Sequence, residues 1–150
     1  MKKKAIICDL DGTLLDCEHR RHFVECEKKD WANFLHPDHI KKDKFNDWCK
    51  ELILAMHKHD HTILFVTGRN ENVRNVTIET LLKEWHQENI ILHMRKDEDF
   101  RSDSVIKKEI YDEFIEPFYD VIFSVDDRKS VVQMWRDIGL VCLQCAEGNF

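Results

Sequence analysis

The segment Asp9-Leu10-Asp11-Gly12-Thr13 sets two carboxylates two residues apart and follows them with a glycine and a hydroxyl. Thr67-Gly68-Arg69, Asp103 with Lys107 one helical turn on, and the pair Asp126-Asp127 complete the residues suited to chemistry. Brought into one pocket, carboxylates in this number cannot all ionise without compensation. A divalent cation is the usual remedy, and hard oxygen ligands favour Mg²⁺. The remaining anionic ligand is then a phosphate. Mg²⁺ and Lys107 neutralise its oxygens, and Thr67 hydrogen-bonds to one of them. Residues two apart on an extended strand end point the same way. Asp9 can therefore attack phosphorus in line while Asp11 reaches the ester oxygen. Gly12 lets the chain turn without a clashing Cβ.

The elements that must position these residues follow from apolar patterning. Lys4–Cys8, Thr62–Val66, Ile90–Met94, Asp120–Val125 and Leu140–Leu143 read as strands, each short and apolar. Between them, Phe45, Trp48, Cys49, Leu52, Ile53 and Met56 make one face of an amphipathic helix. Asn70 is suited to cap a helix reaching about His86, with Ile78, Leu81, Leu82 and Trp85 on its apolar side. A further helix runs from Asp103 to Glu116, with Ile106, Ile110 and Phe114 as its stripe and Pro117 as its stop. The last spans Arg128–Ile138, with Gly139 as its C′ residue. Strands alternating with helices imply an α/β fold: a Rossmann-like, three-layer arrangement with a five-stranded parallel sheet. All 150 residues are expected in one domain, with a small helical, cap-like insert after the first strand, at roughly 17–61. In such sheets ligands bind beyond the carboxyl ends of the strands, and the candidate residues lie at or just past those ends.

The ordered set resembles the haloacid-dehalogenase-like (HAD) superfamily, whose four motifs match DLDGT at 9–13, the strand ending in Thr67, Lys107, and DD at 126–127. The resemblance implies a Mg²⁺-dependent phosphomonoesterase working through an aspartyl-phosphate. Asp9 resembles the nucleophile, and Asp11 the general acid that protonates the leaving oxygen and later activates water. Thr67 and Lys107 resemble phosphate binders. Asp9, the Asp11 carbonyl and Asp126 resemble metal ligands, with Asp127 sharing that role or standing just behind it. Transport ATPases of the superfamily carry Thr where Asp11 stands, so Asp11 favours hydrolysis. A closer resemblance, over most of the chain, is to the 3′-phosphatase domain of the bacteriophage polynucleotide kinase/3′-phosphatase family. It rests on DLDGTL, Arg20, TGR at 67–69, DSVIKKEI at 103–110, and VDDRKSVVQMWRDIG running to AEGNF. It implies active-site positions for Arg20, Gly68, Arg69 and Asp103, with the two arginines holding the nucleotide side of a 3′-phosphorylated DNA or RNA end. The alternatives are a 5′-nucleotidase or another small-molecule phosphatase, and a catalytically silent binding module on the same fold.

Composition narrows the remaining classes. Net charge is −6, which suits a grip on one phosphorylated end better than tracking along a duplex. No apolar run approaches a membrane span, and the N-terminal apolar stretch is too short for a signal peptide, so no membrane role is expected. Six irregularly spaced cysteines suit reduced thiols and a cytoplasmic setting, without a covalent cofactor. Cys142 and Cys145 form a lone CxxC, with Cys142 expected as a buried strand residue. His57, His59 and His61 are expected at a solvated helix end, Lys41, Lys42 and Lys44 on a solvated face, and Trp48, Trp85 and Trp135 in the core. No Gly-x-x-x-x-Gly-Lys-Ser/Thr stretch occurs, so ATP-dependent phosphorylation is not expected, and a separately encoded kinase or ligase is the candidate protein partner.

Overall fold

The computed structural model describes residues 1–148. Asn149 and Phe150, the end of the AEGNF stretch, lie outside the described residues. Five strands form one parallel sheet: β1 (Lys3–Cys8), β4 (Thr62–Asn70), β5 (Ile91–Arg95), β6 (Tyr119–Arg128) and β7 (Cys142–Gly148), in the order β5-β4-β1-β6-β7. Strand alternation sends side chains to two separate cores. Ile6, Cys8, Ile63 and Phe65 face α4 (Asp47–Lys58) and α5 (Arg74–Leu82), while Ala5, Ile7, Leu64 and Val66 face α6 (Asp103–Ile110) and α7 (Lys129–Asp137). Helices therefore cover both faces, which is the expected three-layer, Rossmann-like α/β fold.

The chain between β1 and α4 folds as a small appendage. It contains β2 (Leu15–Asp16) paired antiparallel with β3 (Lys44–Phe45), and three one-turn helices, α1 (Glu18–Arg21), α2 (Trp31–Phe34) and α3 (Pro37–Ile40). Cys17, Val24 and Phe34 form a private cluster there. Of the stretch expected as insert, α4 does something else: its Cys49 and Ile53 pack into the main core beneath the sheet.

Several local expectations need correction. Asn70 does not cap a helix. It pairs with Arg95 as the last residue of β4, and a 3₁₀ turn (Glu71–Val73) precedes α5. That helix stops at Leu82, and Trp85 reaches the core from beyond it. Trp48 is 47 % exposed because the α4 stripe centres on Cys49 and Ile53, and Leu82 and Phe114 are likewise exposed. The fifth strand starts later than expected. Leu140 still donates to the Trp135 carbonyl and Gly139 to that of Arg136, a Schellman closure of α7 that delays pairing until Cys142. His61, expected in solvent, is buried with Nδ1 against the His59 carbonyl, and His57 packs edge-on against Trp85. No helix among the described residues is long and apolar enough to cross a membrane.

The two-core arrangement generates a stability prediction. Ile53→Ala should cost ~2–5 kcal/mol, the range for truncating a fully buried aliphatic side chain. Trp48→Ala, on the same helix, should cost about 1 kcal/mol or less, as surface substitutions generally do. Urea unfolding of the two variants checks this, and equal losses would contradict the inward packing of α4 through Ile53.

Candidate active site

The candidate residues meet where the sheet loses its regularity. Pairing of β4 with β5 jumps from Val66 to Asn70 and skips Thr67-Gly68-Arg69, and pairing of β6 with β7 jumps from Asp126 to Arg128 and skips Asp127. Irregular ends of this kind re-aim side chains away from the ladder. Asp9 follows the last residue of β1 and keeps its N–H on the Val125 carbonyl at 3.1 Å. The chain then folds over at once: Thr13 and Leu15 both donate to the Leu10 carbonyl. Asp11 therefore lies in a turn rather than on an extended strand end, so simple alternation does not explain its direction. Gly12 has φ +78°, and a Cβ there would collide with Asp127 Oδ2. A Cβ on Gly68 would stand 2.6 Å from Asp103 Oδ1, so both close approaches require glycine.

Asp9 is buried and doubly anchored. The Thr13 hydroxyl donates to Oδ2 at 2.9 Å and Lys107 Nζ to Oδ1 at 2.9 Å. Lys107 also donates to Asp126 Oδ2 at 2.8 Å, while Asp126 Oδ1 accepts from the Arg128 N–H. Carboxylate oxygens of Asp9, Asp126 and Asp127 lie within 4.8 Å of one another. Burial, and after it the neighbouring Asp126, push the Asp9 carboxyl well above its ordinary range against the pull of Lys107; burial and Asp126 raise Asp127 in the same way. Burial works against the Lys107 ammonium, but Asp126 and Asp9 outweigh it and hold the group charged. Three carboxylates against one lysine leave an excess of negative charge, so the donor set fits a hard divalent cation such as Mg²⁺.

Asp11 is treated differently. Its carboxylate is turned onto two guanidiniums: Arg69 donates through Nε (3.1 Å) and Nη2 (2.6 Å), and Arg20 through Nη2. Asp43 completes a buried quartet, accepting from Arg20 Nε at 2.9 Å and Nη2 at 2.7 Å and from Arg69 Nη2 at 2.8 Å. Burial alone would raise the Asp11 pKa, but Arg69 and Arg20 prevail and hold the carboxyl well below the usual range. Arg20 also donates to the Phe34 carbonyl and Arg69 to the Thr77 hydroxyl. Most donors of both guanidiniums are thus spent inside the protein rather than held out toward the nucleotide side of a substrate. They fix Asp11 instead. The Asp11 carboxylate lies outside the three-carboxylate group, which leaves its main-chain carbonyl as the ligand implied by the resemblance.

Thr67 is buried, accepts from the Arg69 N–H at 3.1 Å and lines the same cavity as Asp9, Asp11, Gly68 and Lys107. Asp103 opens α6 and receives both Arg95 Nη2 and Arg128 Nη1, so it fixes arginines rather than Lys107. Arg95 also donates to the carbonyls of Gly68, Asp99 and Arg101, tying the loop after β5 to the end of β4. Sequence reasoning missed Asp43, Arg95 and Arg128. Asp43 sits among exposed lysines and carries no motif. Arg128 stands in the DDRK stretch, where its adjacency to Asp127 was the available signal.

Three comparisons bear on this geometry. Residues 3–150 match the family model described as the polynucleotide kinase PNKP phosphatase domain. Over 135 residues, 90 % of this chain and 18 % of the relative, it is 29 % identical to a putative bifunctional polynucleotide kinase/RNA ligase of Autographa californica nuclear polyhedrosis virus. Among solved structures, a chain of the Pnkp1/Rnl/Hen1 RNA repair complex superposes with a TM-score of 0.82 at 31 % identity, over 99 % of this chain and 44 % of that one. The class C acid phosphatase from Bacillus anthracis superposes with a TM-score of 0.70 at 16 % identity, over 100 % and 69 %, which shows a shared fold. The chain thus spans less than half the length of the two repair-protein chains it matches. It belongs to the family of PNKP-type phosphatase domains, which are HAD-like phosphoric monoester hydrolases.

Proposed function

We propose that this chain removes 3′-phosphates from polynucleotide ends with Asp9 as nucleophile. The observation that carries the chemistry is the position of Asp9: buried, held by Thr13 and Lys107, and grouped with Asp126 and Asp127 on the floor of a cavity. Asp9 attacks phosphorus in line, and an aspartyl-phosphate forms as the ester oxygen departs. Lys107 and the hydroxyl of Thr67, which keeps its own O–H to donate, hold the phosphate oxygens. Asp9, Asp126, Asp127 and the Asp11 carbonyl would hold Mg²⁺, which when bound supplies positive charge to the phosphate oxygens.

Asp11 serves as the acid and then the base. Its resting, ionised form suits the second half of the cycle, in which it takes a proton from the attacking water. In the first half Asp11 must take up a proton from solvent, against the pull of Arg20 and Arg69, and hand it to the departing ester oxygen. With most donors of those two arginines spent on Asp11 and Asp43, and those of Arg95 on Gly68, Asp99, Arg101 and Asp103, the grip on the nucleotide side passes to Arg128, which lines the cavity beside Asp103. A guanidinium fork there can take the diester phosphate that links the last nucleotide to its neighbour. The Pnkp1 chain was solved in complex with Rnl and Hen1, which supports a ligase as a partner. The free cysteines are in keeping with a reducing, cytoplasmic setting.

Metal removal gives the simplest test. Excess EDTA should abolish turnover and Mg²⁺ should restore it, whereas full activity in EDTA would disprove the metal assignment. Asp11→Asn should cost ~10²–10⁴-fold in kcat, the usual range for losing a general acid–base. An aryl phosphate, with its better leaving group, should suffer less than an alkyl ester; equal losses would count against the role of Asp11 as acid. For regiospecificity, 3′-phosphorylated oligonucleotides and nucleoside 3′,5′-bisphosphates should outperform nucleoside 3′-monophosphates in kcat/KM. All three should outperform 5′-phosphates. Arg128→Ala should erase roughly 10- to 150-fold of that preference, the value of a charge-assisted hydrogen bond. If 5′-mononucleotides are the best substrates, the nucleotidase reading replaces this one.

A further inference from the structure

The cavity over Asp9 has a volume of about 630 Å³, which is the size of a site for a whole organic ligand rather than for a phosphate alone. Part of its lining is aromatic and open to solvent. Trp31, from α2 of the appendage, is 43 % exposed, and Phe100, from the loop after β5, is 90 % exposed. Neither belongs to any of the hydrophobic clusters. Single exposed apolar residues are ordinary on protein surfaces. Two large aromatics from separate segments, lining the cavity that holds the candidate nucleophile, are a different matter.

Trp31 is also held in place. Asp30 caps its helix by accepting from the Asn33 N–H at 3.0 Å, and the indole packs edge-on against Phe34 with centroids 5.7 Å apart. Phe34 in turn lies under the Arg20 guanidinium, 4.3 Å from its centroid, so the platform is tied to the buried quartet that fixes Asp11. The Lys29 ammonium lies 5.7 Å from the Trp31 ring, so Lys29 brings positive charge to the aromatic part of the lining in a protein whose net charge is −6. Flat aromatic faces beside cations are what a single-stranded nucleic acid requires, because every base has a π-face and every linkage a charge. A base inside a duplex is already stacked and paired, and must be taken out before it can enter such a site.

We infer that Trp31 and Phe100 are stacking platforms for the nucleobases at a single-stranded 3′ end, and that they set the preference for nucleic acid over other phosphomonoesters. The inference rests on the 3′-end reading above. Its test compares kcat/KM for three substrates: a 3′-phosphorylated single strand, the same strand with the terminal base removed, and glycerol 2-phosphate. Trp31→Ala and Phe100→Ala should each lower kcat/KM on the intact strand by roughly 5- to 150-fold, mainly through KM. The loss should be much smaller on the base-less strand and on glycerol 2-phosphate, and Trp31→Phe should recover most of it. Equal losses on intact and base-less strands, or no loss on either, would overturn the assignment while leaving the 3′-end reading intact. If the unaltered protein hydrolyses glycerol 2-phosphate but not the phosphorylated strand, the 3′-end reading itself fails and the platforms fail with it.

Discussion

Negative charge concentrated at the carboxyl end of the sheet is the constraint around which this molecule is arranged. Asp9, Asp11, Asp126 and Asp127 all line one cavity, and Asp9, Asp126 and Asp127 bring carboxylate oxygens within 4.8 Å of one another. Left alone, such a group would take up protons or push the chain apart. The fold answers in two ways. Asp9 and Asp126 share the buried Lys107, delivered by α6. Asp11 is drawn off to the side, where Arg69 of β4 and Arg20 of the appendage neutralise it. The first solution leaves negative charge in excess and suits a cation; the second does not.

The separation has a structural consequence. Each arginine of the quartet comes from a different part of the chain, and Asp43, which bridges them, immediately precedes β3. The appendage is thereby bonded to the catalytic end of the sheet by buried ion pairs, while Cys17, Val24 and Phe34 pack among themselves within it. Removing one partner of a buried pair is far costlier than the pair's net contribution, because it strands a charge. The appendage and the Asp11 carboxylate therefore hold each other in position, and the aromatic wall that the appendage adds to the cavity inherits that rigidity.

Much of this was legible in the sequence. The strand-and-helix alternation pointed to the three layers, and the motifs to Asp9, Thr67, Lys107, Asp126 and Asp127, because these residues stand at strand ends or within a helix that patterning can locate. What patterning could not supply was partner choice. Arg20 and Arg69 carry charges suited to a phosphate, and only the fold reveals Asp43 beside them. Asp43 lies between Lys42 and Lys44 in a stretch without periodicity, where local sequence marks a solvated turn. Trp48, expected in the core, and Trp31, which drew no expectation, were illegible for different reasons. The first sits at the edge of a helical stripe and faces solvent, and the second lies in a one-turn helix too short to show a stripe at all.

The covalent role of Asp9 is the claim on which the rest depends. It is tested most directly by acid-quenching the protein during turnover of a strand carrying a radiolabelled 3′-phosphate, followed by peptide mapping. Labelled phosphate on Asp9 is the expected result, with no label and no turnover in Asp9→Asn. Label on any other residue, or an Asp9→Asn protein that still releases phosphate, would contradict it.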